Sequence, residues 1–599
     1  MESDHRRLVA RGRWRWRLYA ALVAGRVLGS VMLLGMVHPD EFFQSQEVVA
    51  RHFLSQHSVV RRELVLPWEF ELPAPNRSIV IPALIVGAPY KILDLFNVKL
   101  TGWLLLVTPR LLLCLLSFTF DVVLYRIVGQ TSCDQNAADR REKQEKALLL
   151  FASSWPTFVL LCRPFSNTLE SLVLALCFAV LFLADPHRRV LCGVVHVQTV
   201  LLGSLLAVGV FTRFTFPAFF FPLGLELVRQ QDALLLEAAR KKEDARASLL
   251  VRRLTSTLDV ILQGVVAFLI WAVLFVVVDT VFYRPDVFSG ESNSVSLLKI
   301  IARNTVIAPL NNLLYNIQYD NLELHGVHPR VTHLALNMPM LFGPLFFIFL
   351  VQCLRFPDRT VFGTACVLFP LACLSLAPHQ EPRFMLPAIV PLHIFAVSNG
   401  SMSTFRFLTE HKLGMLLWFV FNFALTLFFG VLHQGGVVPM LLSLSSMASS
   451  SVESPVTSAS WLTNTVCDFD GADKVAMQML GLVPLVFAKT YMPPRFLLAG
   501  MTASSAFRVI DLAGKNTVHD LVESLGGNNA DQMSAEHEVT MFMVLPASVD
   551  LRDMMPEVFI SLSRMSRLGR CFPHVSTEDF ALDKPLSLEL YAVTLTTKS

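Results

Sequence analysis

The chain is built from apolar runs long enough to cross a bilayer, and their recurrence limits what it can fold into. A helical span needs about 20 mainly apolar residues. Such runs occupy 18–37, 101–126, 147–162, 167–184, 190–211, 214–228, 257–283, 339–354, 360–377, 384–398 and 413–432. In hydrocarbon, backbone polar groups must be paired within the segment, so these runs predict helices. Of 599 residues, 53% are hydrophobic and only 16% charged, with mean hydropathy +0.53. Soluble globular chains usually carry about 25% charge, so the expected fold is a polytopic α-helical membrane protein with about eleven spans. A net charge of +3 gives no nucleic-acid surface. The ten cysteines show no CxxC or Cys/His spacing, so no metal site is expected.

Orientation follows from Lys and Arg, which gather in short cytoplasmic loops. Residues 1–17 carry Arg6, Arg7, Arg11, Arg13, Arg15 and Arg17, which keeps that end cytosolic and makes 18–37 the first transmembrane helix, an uncleaved anchor. The stretch 78–98 is apolar enough to cross, but counting it would put the basic loop 126–146 outside. Reading it as an interfacial or re-entrant piece interrupted by Pro82 and Pro89 places that loop inside, together with Arg188–Arg189, the run Arg229 to Arg253, Arg355–Arg359 and Arg406–Lys412.

The opposite face then receives the loop 38–100, the turns RPFSN (163–167) and TRF (212–214), the loop 284–338, HQEPRF (379–384) and LHQGG (432–436). Only basic loops set the orientation, so the clustering of polar motifs on one face is an independent result. Residues 101–432 form the membrane module, 433–460 a linker that is Ser-rich from 443, and 461–599 a small α/β domain with strand-like runs at 483–488, 539–545 and 586–595. The short apolar run 476–488 is not counted as a span. Cys467 and Cys571, the two cysteines of this tail, either pair in an oxidising compartment or are separately buried thiols.

Among the loops, HPDE (38–41) is a plain helix start, with acids favoured near the N-terminus. Its position at a membrane exit also suits a carboxylate base, because partial desolvation raises a carboxylate pKa. On a continuing α-helix, Asp40, Gln44 and Glu47 share one face and Phe42, Val49 and Phe53 another. His379, Gln380, Glu381 and Arg383 set a cation and donors beside a carboxylate, and His328 with Arg330 offers a second basic pair. Both suit an anionic phosphate. Sugar transfer from a lipid phosphate needs a base for the acceptor hydroxyl and cations for the departing phosphate. It needs no second carboxyl acid, since the leaving phosphate is a weak base.

HPDEFFQS after a first span resembles the signature of the glycosyltransferase family 22 mannosyltransferases. The resemblance extends through PWEFELPAPNRS (67–78), RPFSNTLE (163–170), NLELHGVHPRVTH (321–333), HQEPRFMLP (379–387), LHQGGVVP (432–439) and KTYMPPRFLL (489–498). HGVHPR, HQGG and KTYMPP look most like the branch that adds the fourth mannose, in α-1,2 linkage, to the glycosylphosphatidylinositol (GPI) precursor. The resemblance implies a GT-C architecture with a catalytic first luminal loop. It implies an endoplasmic-reticulum enzyme using dolichyl-phosphate mannose as donor and a GPI glycolipid as acceptor, with inversion and no required cofactor. It assigns Asp40 as base with Glu41 as supporting or alternative acid. His379, Gln380, Arg383, His328 and Arg330 would serve the donor phosphate and sugar, and His38, Gln44, Glu47, Glu381, Arg163 and Asn167 would meet the acceptor or support the site. The insertions 443–460 and 232–253 fall outside the family's pattern.

The nearest alternatives are the third-mannose GPI enzyme and a mannosyltransferase acting on dolichol-linked oligosaccharide. A lipid transporter is a different class, suggested by Glu170, Glu226, Asp259 and Asp279 in or near spans. Against it, the sequence carries no inverted repeat and its polar motifs crowd one face instead of the midplane.

Overall fold

Helices form along the apolar runs, but proline, glycine and paired serines cut several of them short. The structure, a computed structural model, describes residues 2–597 except 56–57, 132–135, 192, 241–245, 286–303, 324–325, 356, 399–401, 449–459, 470–480, 502–504, 513–537, 551–559, 578 and 582. The main helices are α1 (Glu2–Met32), α2 (Gly102–Thr131), α3 (Ala137–Ala152), α4 (Ser166–Leu183), α5 (Val197–Thr212) and α6 (Phe216–Arg240). They continue with α7 (Arg246–Tyr283), α8 (Pro344–Arg355), α9 (Pro357–Ser375), α10 (Ile389–Ser398), α11 (Lys412–Leu427) and α12 (Val437–Ala448). Among the described residues, four helical stretches are long and apolar enough to cross a membrane: Gly102–Thr131, Ser166–Leu183, Leu249–Tyr283 and Lys412–Leu432. Five more apolar helices are shorter.

The short ones have local causes. The run 147–162 divides into α3 and a one-turn helix Trp155–Val159 that restarts at Pro156. The run 339–354 breaks at Gly343, whose φ of +48° suits a residue without Cβ; the Phe421 ring lies 2.5 Å from where that Cβ would stand. The run 190–211 opens with a hairpin of β1 (Arg189–Val190) and β2 (Val195–His196) before α5 starts. The stretch 78–98 forms three consecutive helical pieces covering 80–95. Sixteen residues reach only about 24 Å, short of the ~30 Å hydrocarbon core. Leu84, Ile92 and Leu95 are exposed while Val86 and Tyr90 are buried.

Contacts divide the chain into two units. The first comprises residues 1–27, 68–81 and 113–422. Here α5 packs against α4 and α7, and α6 against α9. A Cβ on Gly203 would meet the Gly264 carbonyl at 2.3 Å, so glycine lets α5 and α7 approach backbone to backbone. Arg26 on α1 and Asp121 on α2 form a buried two-pronged pair at 2.7 and 3.1 Å. Asp279, near the end of α7, accepts from Ser78 Oγ and Ile79 N, each at 3.0 Å. Much of α7 is exposed and apolar, including Leu254, Leu262 and Ile270, which marks a lipid-facing surface.

The second unit comprises residues 28–67, 82–112 and 423–599. Its six-stranded mixed sheet contains β3 (Cys467–Phe469), β4 (Gly481–Phe487), β5 (Ser505–Asp511), β6 (Glu538–Pro546), β7 (Ile560–Cys571) and β8 (Leu588–Thr597) in the order β3-β7-β8-β6-β4-β5. Strand β4 pairs in parallel with β5 and β6, while β8 lies antiparallel to β6 and β7. The three strand-like runs read from sequence are β4, β6 and β8; residues 481–487 are therefore a strand and no part of a twelfth span. Sheet residues Leu485, Phe487, Phe542, Val544 and Leu588 share one core with Phe42, Val49, Tyr90 and Leu105 of the first loop and its following helix. The expected linker 433–460 is corrected in its first half: VVPMLLSLSSMA is apolar enough to bury, and it forms α12 in that same core. Residues 449–459 of that linker lie outside the described residues.

Cys467 and Cys571 oppose one another in the β3–β7 register and are disulfide-bonded. The bond closes a separation of 104 residues, and removing a link over a loop of that size costs about 2–5 kcal/mol. Cys571→Ser should lower the thermal midpoint and speed proteolysis of the tail. In the wild type, thiol alkylation should leave both cysteines unlabelled until a reductant is added; labelling without reductant would contradict the bond.

Candidate active site

The HPDE segment begins a helix in which Phe42 N and Phe43 N donate to the Pro39 carbonyl at 2.9 and 3.1 Å. Successive helical residues are rotated by about 100°, so the adjacent acids must point in different directions. The structure sorts them sharply. Asp40 keeps a side chain 25% exposed, accepts from Gln44 Nε2 at 2.5 Å and lies 3.3 Å from His38 Nδ1. Glu41 is fully buried, and both Nε (2.9 Å) and Nη2 of Arg110 donate to one of its oxygens. Arg110 also donates to the Leu33 carbonyl at 3.2 Å, and its guanidinium lies 5.9 Å from the Phe42 ring centre. Glu41 is thus committed to an internal ion pair, leaving Asp40 as the accessible acid.

Arg110 was not among the expected site residues. The signal for it was present: a cation deep inside the apolar run 101–126 demands a partner. The residue before it explains the surrounding bonds. Pro109 has no N–H for the carbonyl four residues back, that of Leu105. That carbonyl accepts instead from Tyr90 Oη at 2.6 Å and Gln46 Nε2 at 2.9 Å. The helical break thereby anchors two residues of the first loop.

Glu47 departs from the shared face expected with Asp40 and Gln44. Residues 42–46 form a π-helical turn, and its i→i+5 bonding admits extra residue and turns the chain beyond it off the α-helical phase. Glu47 is therefore buried, accepting from Phe496 N at 3.1 Å and Val65 N at 3.4 Å. Burial pushes its pKa up to about 7, against the lowering effects of those N–H groups and Arg495. The HQGG and KTYMPP strings converge on the same unit. His433 Nδ1 hydrogen-bonds the Met36 carbonyl at 2.6 Å, Gln434 Oε1 accepts from Tyr491 N at 3.3 Å, and the Tyr491 ring lies 6.2 Å from that of His38. Gly435 is forced, since a Cβ there would sit 2.0 Å from the Val431 carbonyl.

A second constellation belongs to the other unit. His328 N donates to the Pro378 carbonyl at 2.9 Å, Arg330 donates to the Leu376 carbonyl, and Gln380 Nε2 bonds the carbonyls of Arg330, Ser375 and Ala377 at 3.2–3.3 Å. HGVHPR and HQEPRF are thereby stitched together, with Gln380 as a buried brace. Glu381 accepts from His379 Nε2 at 2.7 Å and from Arg383 Nη2 at 2.9 Å. Burial alone would lower the His379 pKa, but the bond and charge of Glu381 raise it overall.

Arg213, from the TRF turn, extends this group. Its guanidinium lies 5.0 Å from the Phe384 ring centre, with Arg383 at 5.5 Å from the same ring. It donates to Ser166 Oγ at 3.0 Å and pairs with Glu170 at 3.3 Å. Burial and the nearby Arg77 and Arg383 bring its pKa down to about 10, against Glu170 and Glu381, so it remains charged at neutral pH. Arg77 is held by Glu69 at 2.9 Å. Asn167 is fully buried beside Glu170. Arg163 is also buried, at the turn that starts α4. Asn76, which opens an Asn-Arg-Ser sequon, is buried instead of being surface-exposed. Among the described residues, no group of three or more His, Cys, Asp or Glu could hold a metal ion.

The sequence matches the profile of the Alg9-like mannosyltransferase family over residues 17–496. It is 30% identical to human GPI alpha-1,2-mannosyltransferase 4 over 83% of this chain and 78% of that protein. It is also 30% identical to GPI mannosyltransferase 4 of Aspergillus oryzae, over 90% and 88%. A solved structure with similar layout is ArnT from Cupriavidus metallidurans bound to undecaprenyl phosphate, at TM-score 0.48 and 11% identity over 97% of this chain and 98% of that one.

Removing Glu41 alone strands a buried guanidinium, at a cost of about 3–5 kcal/mol. Glu41→Leu should therefore lose most monodisperse protein, and Glu41→Leu/Arg110→Leu should recover much of it, as read by gel filtration and thermal unfolding. Glu47 gives a pH signature. Its folded pKa of about 7 lies above the ordinary 4.5, so the folded state binds the extra proton between those values and its contribution to stability declines as pH rises through that window. Relative to Glu47→Gln, the wild-type thermal midpoint should fall from pH 5 to pH 8; a constant difference would contradict the burial of an ionisable Glu47.

Proposed function

The chain belongs to the Alg9-like mannosyltransferase family, and we propose that it transfers mannose from dolichyl-phosphate mannose to a GPI precursor, adding the fourth mannose in α-1,2 linkage on the luminal side of the endoplasmic reticulum. Relatives named GPI mannosyltransferase 4, aligned over most of both chains, support the acceptor class. The disulfide between Cys467 and Cys571 supports an oxidising compartment for the tail.

The observation that carries the mechanism is the sorting of the two acids: Asp40 is accessible while Glu41 is spent on Arg110. Asp40 takes the proton of the acceptor hydroxyl as its oxygen attacks the anomeric carbon opposite the phosphate. The new C–O bond forms, the bond to the phosphate oxygen breaks, and the electron pair leaves on dolichyl phosphate. A β-linked donor thus yields an α-linked product with no covalent enzyme intermediate. Gln44 and His38 orient Asp40. Within the first unit, Arg383 and Arg213, with His379 beside them, form a cationic group whose chemistry suits an anionic phosphate. His328, Arg330 and Gln380 hold the loops that present these groups.

Purified protein given labelled donor and a trimannosyl GPI lipid should form a tetramannosyl product cleaved by an α-1,2-specific mannosidase. Dimannosyl GPI and dolichol-linked oligosaccharide acceptors should stay unmodified, and modification of either would redirect the acceptor assignment. Asp40→Asn should lose about 10²–10⁴-fold in rate while keeping the wild-type thermal midpoint. Arg213→Gln should lose about 10²–10³-fold. Full activity in folded Asp40→Asn would remove Asp40 as the base.

A further inference from the structure

The end of α6 and the start of α7 border a cavity of about 400 Å³ within the first unit. The walls come from the stretch after α4, the last turns of α6 and the first turns of α7. These are the segments next to the expected span ends at 184, 228 and 257, on the side that the basic loops assign to the cytosol. Gln231 lies three residues beyond 228, about 4–5 Å along a helix, inside a headgroup layer about 5–8 Å deep. On the topology set by the basic loops, this is headgroup depth.

Its chemistry is amphiphilic and cationic. Arg189, Arg252 and His187 supply donors, while Leu234 and Leu235 supply an apolar side. None of the lining residues is acidic. Two of the described carboxylates close by in sequence are engaged. Asp232 takes two bonds of 2.7 Å from Arg253, and Asp185 accepts from His187 N at 2.9 Å. Gln231 is buried and braced by the Pro186 carbonyl at 3.4 Å and Gln198 at 3.3 Å, so the base of the cavity is built and not collapsed. On α7, Leu250, Leu254 and Leu258 are exposed apolar residues, whereas Arg252 and Ser256 line the cavity. One helix thus borders both acyl chains and the basic cavity. A soluble anion would use the guanidinium groups alone; an amphiphile uses both surfaces.

We propose that this cavity binds the phosphate of an anionic phospholipid of the cytosolic leaflet, with Arg189 and Arg252 on the phosphate oxygens and Leu234 and Leu235 against the glycerol end. The site is independent of the luminal chemistry. The test uses the full chain in nanodiscs of phosphatidylcholine containing phosphatidylinositol or phosphatidylserine, with retained lipid counted by native mass spectrometry. Wild type should retain anionic lipid in preference to phosphatidylcholine. Arg189→Gln/Arg252→Gln should weaken that retention about 30-fold. Ala238→Glu should weaken it as well, by adding a carboxylate to the wall without touching either arginine. Mannosyl transfer measured in pure phosphatidylcholine should be unchanged in each. Equal retention by wild type and both variants, or equal retention of phosphatidylcholine, overturns the proposal. Thermal protection by millimolar inorganic phosphate in phosphatidylcholine nanodiscs, without retained lipid, would make the cavity a free-anion site and overturn the lipid assignment.

Discussion

A buried ion pair governs how the first loop is arranged. Arg110 lies inside an apolar helix and cannot remain there uncompensated; Glu41 supplies the compensation and is fully buried in doing so. Because Asp40 is the next residue back, pinning Glu41 inward rotates Asp40 outward. The Pro109 break adds to this, since the carbonyl it frees binds Tyr90 and Gln46. One proline and one arginine, adjacent in sequence, thus fix three points of the loop that presents the accessible acid.

The sheet has a supporting role of the same kind. Glu47 and Phe42 both meet Phe496, the former through a backbone N–H and the latter ring to ring at 6.0 Å. His433 and Gln434 fasten the HQGG turn to Met36 and Tyr491. The strings read as signatures of one branch are, in this unit, chiefly structural fasteners. Gly435 has no space for a side chain, so its identity follows from backbone geometry, and the Gln434 amide is spent on Tyr491 N.

Much of this was legible beforehand. Apolar runs announced the helical membrane architecture, and strand-like runs announced β4, β6 and β8. The family profile agrees with the motif resemblance to mannosyltransferases. What stayed hidden were features that depend on two distant segments. Periodicity puts Glu47 beside Asp40, but the π-helical turn at 42–46 alters the phase, and nothing in FFQSQ declares such a turn. Arg110 and Arg213 each read as single cations at or near apolar runs, and only their partners Glu41 and Glu170 give them roles. Gln380 looked like a ligand for substrate, yet its amide is occupied by three carbonyls. Helix boundaries were misjudged where Gly343 and Pro156 interrupt hydropathy that is otherwise continuous.

The central place of β8 in the sheet has a consequence in time. Residues 588–597 pair with both β6 and β7, and Leu588 and Leu590 belong to the core that receives Phe42. A ribosome making about 5–20 residues per second reaches β8 roughly half a minute to two minutes after HPDE has emerged. Throughout that interval the loop bearing Asp40 lacks the strand that completes its support. Competence thus arrives late in synthesis, and a chain interrupted anywhere before β8 is left with an unfinished core.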